Sequence, residues 1–150
     1  MNILLAVISS RRTGSSGSFG DLIQRYLERV GRYAPCAYRI FASEPKLLDF
    51  LSSAATRTRP ALFLADSQGQ QLSSEELALK VGSLIDAGIQ QFVFAIGPAD
   101  GWSPEALSRA DRTIAFGRIT LPHELAAVVA AEQLYRALTI RAGHPYHSGH

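Results

Sequence analysis

Gly117-Arg118-Ile119-Thr120-Leu121-Pro122-His123, then Glu124 to Ile140, then the tail Arg141-Ala142-Gly143-His144-Pro145-Tyr146-His147: this stretch decides how the chain is read. Pro122 suits the first position of a helix, where its missing N–H would have no partner anyway. Behind it Leu125, Val128, Val129, Tyr135 and Leu138 recur at helical spacing, and Ala126, Ala127, Ala130 and Ala131 fill the other faces. A helix that is small or apolar nearly all round is buried on several sides. In a chain of 150 residues, one of those sides is expected to meet a partner subunit. Glu132 and Arg136 stand out as an i,i+4 pair.

Outward from this helix, size and composition set the frame. The length suits one domain over residues 1–150 and buries a core without staples. A single cysteine, Cys36, excludes an internal disulfide and a cysteine-cluster metal site, which fits the cytoplasm. Met1 to Ile8 is apolar but too short to span a membrane and lacks a charged leader, so it reads as a first strand. Net charge is only +2, yet of fifteen cationic residues Lys46 and Lys80 are the only lysines. The remaining thirteen are Arg, the residue suited to bidentate phosphate contacts, or simply the product of a compositional bias.

Strand and helix signals alternate along the chain. Asn2 to Ile8 is a continuous apolar run of the kind buried on both faces of a parallel sheet. Ser9 to Gly20 carries Arg11 and Arg12 among Ser and Gly, and reads as an anion-binding segment or a solvated loop. It lacks the Gly-Lys-Ser/Thr ending of a Walker A loop. Asp21 to Arg32 is an amphipathic helix, Cys36 to Phe41 a strand, Glu44 to Ala55 a helix. Pro60 to Ala65 is a strand, followed by an expected turn at Asp66-Ser67-Gln68-Gly69. Ser73-Ser74-Glu75-Glu76 is a capping box opening a helix to about Ala87. Phe92 to Ile96 is a strand, Ser103-Pro104-Glu105 starts a short helix, and Arg112 to Phe116 is a fifth strand. The fold class is therefore α/β, a mostly parallel sheet sandwiched by helices. Ligands bind at the carboxyl ends of such strands, here the loops Ala65 to Gly69, Gly97 to Gly101 and Gly117 to Pro122.

Three segments carry a resemblance. Ile119-Thr120-Leu121-Pro122-His123, Ala131-Glu132-Gln133-Leu134-Tyr135-Arg136-Ala137 and His144-Pro145-Tyr146-His147 resemble the C-terminal signature of the ribosomal RNA large subunit methyltransferase H family. Ile96-Gly97-Pro98-Ala99-Asp100-Gly101 is similar to its glycine-rich loop, with Pro98 where a second glycine is usual. The lysine-rich loop of that family is shortened here to Ala42-Ser43-Glu44-Pro45-Lys46. The resemblance implies the SPOUT class: an α/β fold with a C-terminal trefoil knot, working as a homodimer. It implies methyl transfer from S-adenosyl-L-methionine to N3 of a pseudouridine in 23S ribosomal RNA on the assembled ribosome. No metal and no membrane are expected.

Residue by residue, the resemblance implies a cofactor site made of Ala65, Gly97, Pro98, Phe116, Gly117, Arg118, Ile119, Thr120 and Leu121. Arg118 is alternatively an RNA contact. His123, Arg136 and Tyr146 are implied as catalytic, with Tyr146 facing the reacting base. His144 and His147, in the basic aromatic tail, are read as RNA-binding, and so are Arg11 and Arg12 of the Ser9 to Gly20 segment, on their own charge rather than on the resemblance. Plain structural readings stand beside these. His123 is also an ordinary helix-start residue, Glu132 and Arg136 an ordinary ion pair, Trp102 a packing residue, and Asp100 a cap for the Ser103 helix. Alternative functions are a non-catalytic RNA- or ribosome-binding protein of the same fold, a methyltransferase for another RNA site, and a nucleotide-binding sensor.

Overall fold

Alternate residues of the first strand explain the layering. In β1 (Asn2–Ile8), Ile3, Leu5 and Val7 enter one apolar cluster and Leu4, Ala6 and Ile8 the other. A strand buried on both faces must lie inside a sheet with helices above and below. That sheet is all-parallel with the order β2-β1-β4-β3-β5, adding β2 (Cys36–Phe41), β3 (Ala61–Gln71), β4 (Gln91–Ile96) and β5 (Arg112–Ala115). The computed structural model describes residues 1–10 and 17–149. Arg11 and Arg12, expected at RNA, lie outside the described residues.

One face carries α1 (Ser18–Val30), α3 (Ser74–Asp86) and α5 (His123–Ala142), which bury Ile23, Leu27, Leu77, Val81 and Leu134 against Phe63, Phe92 and Phe94. The other face carries α2 (Glu44–Ser52) and α4 (Pro104–Arg109), whose Leu47, Leu51 and Ala106 cover Leu62, Leu64, Val93 and Ala95. The capping box at Ser73 forms: Glu76 N–H donates to Ser73 Oγ at 3.1 Å, and Ser73 N–H to Glu76 Oε2 at 2.7 Å.

Three expectations are corrected. Pro122 precedes α5 as its cap, with ψ at 147°, so the helix starts one residue later at His123. In the first half of α5 the alanines, not Leu125, Val128 and Val129, make the buried side, while Tyr135 and Leu138 are buried as their spacing suggests. Ala127, Ala130 and Ala131 are at most 1% exposed, whereas Leu125 is 40% exposed. Small side chains let the helix approach β1 and β4 closely between α1 and α3.

The third correction concerns Asp66 to Gly69, expected as a turn. Here β3 continues to Gln71, and both Ala65 and Gln70 pair with Ile114 of β5 across a register shift. The segment lies on the β5 backbone so tightly that a Cβ on Gly69 would sit 2.6 Å from Ile114 N and 2.7 Å from Thr113 C. Turn-forming residue types there serve the crossing rather than a reversal. Gly69→Ala is expected to lower stability by about 1–3 kcal/mol, because backbone cannot yield as a side chain would. An unchanged urea midpoint for that variant would show the contact to be unimportant.

Candidate active site

The carboxyl ends of β3, β4 and β5 and the start of α5 enclose a cleft of about 690 Å³. That is within the roughly 300–1,000 Å³ of small-molecule sites. Its walls are largely apolar: Ala65, Ile96, Pro98, Ile114, Phe116 and Leu121. Asp66 supplies a carboxylate, Thr120 a hydroxyl, and His123 an imidazole at the first residue of α5.

Trp102 fixes the spacing of two of these loops. Its indole N–H donates to the Ala65 carbonyl at 2.8 Å, tying the β4–α4 loop to the end of β3. The ring lies on Gly97, where a Cβ would come within 2.6 Å of Trp102 Cε2, so only glycine fits beneath it. The next residue is held by Glu44 at the start of α2. Glu44 accepts from Ser103 N–H at 2.9 Å and from the Ser103 hydroxyl, while Ser103 Oγ accepts from Ala106 N–H. Thus α4 is capped by Ser103 backed by Glu44. Ser103 is the cap its sequence position suggests, and Asp100, the alternative, is exposed and takes no part in this arrangement.

Seven of the nine residues expected at the cofactor meet in this cleft: Ala65, Gly97, Pro98, Phe116, Ile119, Thr120 and Leu121. Gly117 and Arg118 do not line it, and the Arg118 side chain is exposed. Sequence reasoning missed Asp66 and treated Trp102 as packing alone; the indole packs and also lines the cleft.

His123, Arg136 and Tyr146 are not brought together within one chain. Arg136 follows His123 by thirteen residues on the same helix, about 20 Å at 1.5 Å per residue. Tyr146 goes with Arg136. The tail folds back so that Tyr146 stacks edge-on against Tyr135 at 4.6 Å, and the Arg136 guanidinium lies 4.9 Å from the Tyr146 ring centre. Glu132 gathers the cluster. Its Oε1 accepts from Arg136 Nη2 at 2.5 Å, from Arg136 Nε at 2.9 Å and from the Tyr146 hydroxyl at 3.1 Å. Gln133 donates to Glu132 Oε2 and accepts from Ser74 of α3. His147 bridges Arg136 Nη1 at 3.0 Å and Glu75 Oε1 at 2.7 Å, and the latter bond holds the Glu75 carboxyl below its ordinary range. His144 is exposed, its Nδ1 accepting from Tyr146 N–H.

Burial, and then the bond to Glu132, push the Tyr146 phenol up to about 12. It is a neutral donor near pH 7. Among the described residues there is no group of three or more His, Cys, Asp or Glu fit to hold a metal ion. Likewise no helix among them is long and apolar enough to cross a membrane.

The all-parallel sheet with its cleft at the carboxyl ends belongs to a methyltransferase class: the family described as "Predicted SPOUT methyltransferase" matches residues 1–147. Within that class the chain belongs to the ribosomal RNA large subunit methyltransferase H family, as its signature segments led us to expect. It is 49% identical over 129 residues to the protein of that name from Koribacter versatilis, covering 86% of this chain and 88% of the relative. It is 39% identical over 146 residues to the one from Mesorhizobium japonicum, covering 88% and 91%. Solved structures share the fold at low identity. A probable methylase family protein from Haemophilus influenzae aligns with a TM-score of 0.58 at 13% identity, over 97% of this chain and 69% of that one. The SpoU methyltransferase AviRb from Streptomyces viridochromogenes, solved with AdoMet, aligns with a TM-score of 0.52 at 15% identity, over 96% and 58%.

The Tyr146 phenol gives a pH prediction. Its folded pKa lies above the unfolded value, so its contribution to stability is full below about pH 10 and is lost as pH rises toward 12. Ultraviolet titration of tyrosinate should therefore show a phenol ionising near pH 12 that is missing in Tyr146→Phe. A variant that instead loses amplitude near pH 10 and keeps the latest phase would contradict the Tyr146–Glu132 cluster.

Proposed function

We propose that this protein is an S-adenosyl-L-methionine-dependent methyltransferase that modifies N3 of a pseudouridine in 23S ribosomal RNA on the assembled ribosome. It acts in the cytoplasm as a homodimer. The observation that carries this reading is the separation of parts: a ligand-sized cleft at one end of α5 and an ordered Arg-Tyr-His cluster near the other. Relatives named as ribosomal RNA large subunit methyltransferases supply the substrate class.

The cleft suits the cofactor. Apolar side chains of Ile96, Ile114, Phe116 and Leu121 present faces for adenine, and Asp66 presents a negative charge toward a cationic ligand. Pro98 removes one N–H from the second loop, so polar contacts there fall to other backbone groups. When bound, S-adenosylmethionine supplies an electrophilic methyl group on a sulfonium. The Asp66 to Gly69 crossing of β5 is read as one pass of a trefoil knot that keeps these loops in place.

For the target base, the N3 proton passes to water as the new N–C bond forms and the S–C bond breaks, the electron pair of the S–C bond staying on sulfur as the neutral thioether. His123 stands at the cleft wall, within its own chain the nearest of the three expected catalytic residues. Arg136 offers a fixed guanidinium for negative charge developing on the base. Tyr146, held neutral, acts as a donor and a stacking surface rather than as a base. Because Arg136 stands about 15 Å along α5 beyond Ala126, the last cleft residue on that helix, and Tyr146 packs beside Arg136, the reading assigns both to the partner's cleft. The exposed side chains of Leu125 and Ile119 offer apolar surface for that partner.

The test is complementation of a strain deleted for the corresponding gene. Mass spectrometry of its ribosomal RNA should show the methylated pseudouridine with the wild-type protein. With Tyr146→Ala the modification should fall by at least about ten-fold while calorimetry finds cofactor affinity nearly unchanged. Persistence of the modification in the deletion strain would end the methyltransferase reading, and loss of cofactor affinity in the variant would mean that Tyr146 is misplaced. Ribosome binding without modification by the wild type would favour the non-catalytic alternative.

A further inference from the structure

Opposite the cleft, at the amino ends of β3 and β5, Arg59 and Arg109 close on one acid, Asp111, while Arg57 on the α2–β3 loop and Arg112 at the start of β5 stay exposed. The α2–β3 loop is held in shape: Thr56 donates to the Thr58 carbonyl, Gln90 N–H to Thr58 Oγ1, and Arg57 N–H to Gln90 Oε1 at 2.7 Å. Arg59 then reaches Asp111 Oδ1 at 3.1 Å and the Arg109 carbonyl at 3.1 Å. Arg109 donates to the Pro60 carbonyl at 2.7 Å. Asp111 is already committed, since its Oδ2 accepts from Leu62 N–H at 2.8 Å.

The charges do not balance. Arg59 and Arg109 share the one carboxylate of Asp111, and the exposed Arg57 and Arg112 add two further positive charges on the adjoining segments. Arg109 Nη1 is buried with no hydrogen-bond partner among the described residues, 3.7 Å from Asp111. Burial, and next the charge of Arg59, push the Arg109 guanidinium down from its ordinary value, a sign that the two cations are held together against repulsion. A purely structural staple accounts for Arg59, Arg109 and Asp111. It leaves unexplained Arg57 and Arg112, both exposed and in no ion pair among the described residues.

We infer that this surface grips the phosphate backbone of the RNA that carries the target nucleotide. The inference rests on the RNA methyltransferase reading and deepens it. Three neighbouring strands at about 4.8 Å spacing make the surface about 10 Å wide, and Ala61 to Ala65 of β3 put it about 13 Å from the level of the cleft. The arginines are spread rather than converging on one point, which suits an extended polyanion better than a single phosphate. Guanidinium groups suit phosphate oxygens, and such contacts position a nucleic acid without reading its sequence.

The double variant Arg57→Ala/Arg112→Ala leaves the Arg59–Asp111–Arg109 staple and the cleft intact. Its methylation kinetics on undermethylated ribosomes should show KM raised about ten-fold near physiological salt, with kcat and S-adenosylmethionine affinity unchanged. Fluorescence anisotropy on a fragment of 23S ribosomal RNA should show the slope of log affinity against log salt smaller in magnitude by about 2. Arg57→Lys/Arg112→Lys should recover most of that slope. Unchanged KM and slope in the alanine variant would overturn the inference. So would loss of binding to phosphatidylserine vesicles with RNA binding intact, which would assign the surface to a membrane. A wild-type protein that binds the RNA with the expected slope but methylates no ribosome would sink the proposed activity and leave this surface standing.

Discussion

The approach of Gly69 to the backbone of β5 is the constraint from which the cleft follows. A strand that ended at Ala65 would leave the next residues free to turn away. Instead β3 resumes pairing with Ile114 at Gln70, and Asp66 and Ser67 are fixed at the rim where β3, β4 and β5 end. Any side chain at position 69 would push against main chain atoms on both sides of the Thr113–Ile114 peptide. Trp102 completes the frame from the other side, because its indole both fills the space over Gly97 and satisfies the Ala65 carbonyl. Two glycines, one on each side, therefore hold the loops by absence of a side chain.

The second organising fact is the length of α5. It carries His123 at the cleft and the Glu132–Arg136 pair more than two turns further on, and a rigid helix cannot bring its two ends together. The tail is nevertheless ordered. It is held by Tyr135, by Glu132 and by the link from His147 to Glu75 of α3, so its aromatic and basic groups are preset rather than loose. Preset groups lose little freedom on binding and suit a role in aligning a base.

Much of this was legible in the chain. Apolar runs, helical spacing and cap residues placed all ten elements, and the Ser73 box and Ser103 cap appeared where their residues stand. Asp66 to Gly69 misled because turn formers were read by local preference, while a contact with Ile114, far along the chain, decided the outcome. Leu125 and Val129 misled for a related reason. Helical spacing says which residues share a face but not which face meets the sheet, and here small alanines won because they allow close packing. The Gly97 loop and the segment after Phe116 were recognised from residue order. Their shared wall with Trp102, and the Glu44 support behind Ser103, join positions too distant in sequence to be seen beforehand.

The central claim is that each cleft is completed by the tail of a second copy. The most direct measurement mixes two inactive proteins, Tyr146→Ala and Gly97→Val, under conditions in which subunits exchange. If the site is shared, mixed dimers hold one cleft with an intact tail over it, and methylation of ribosomal RNA should return to about a quarter of the wild-type level. A mixture as inactive as its parts, despite exchange, would contradict the claim, as would full activity of the wild-type chain as a monomer.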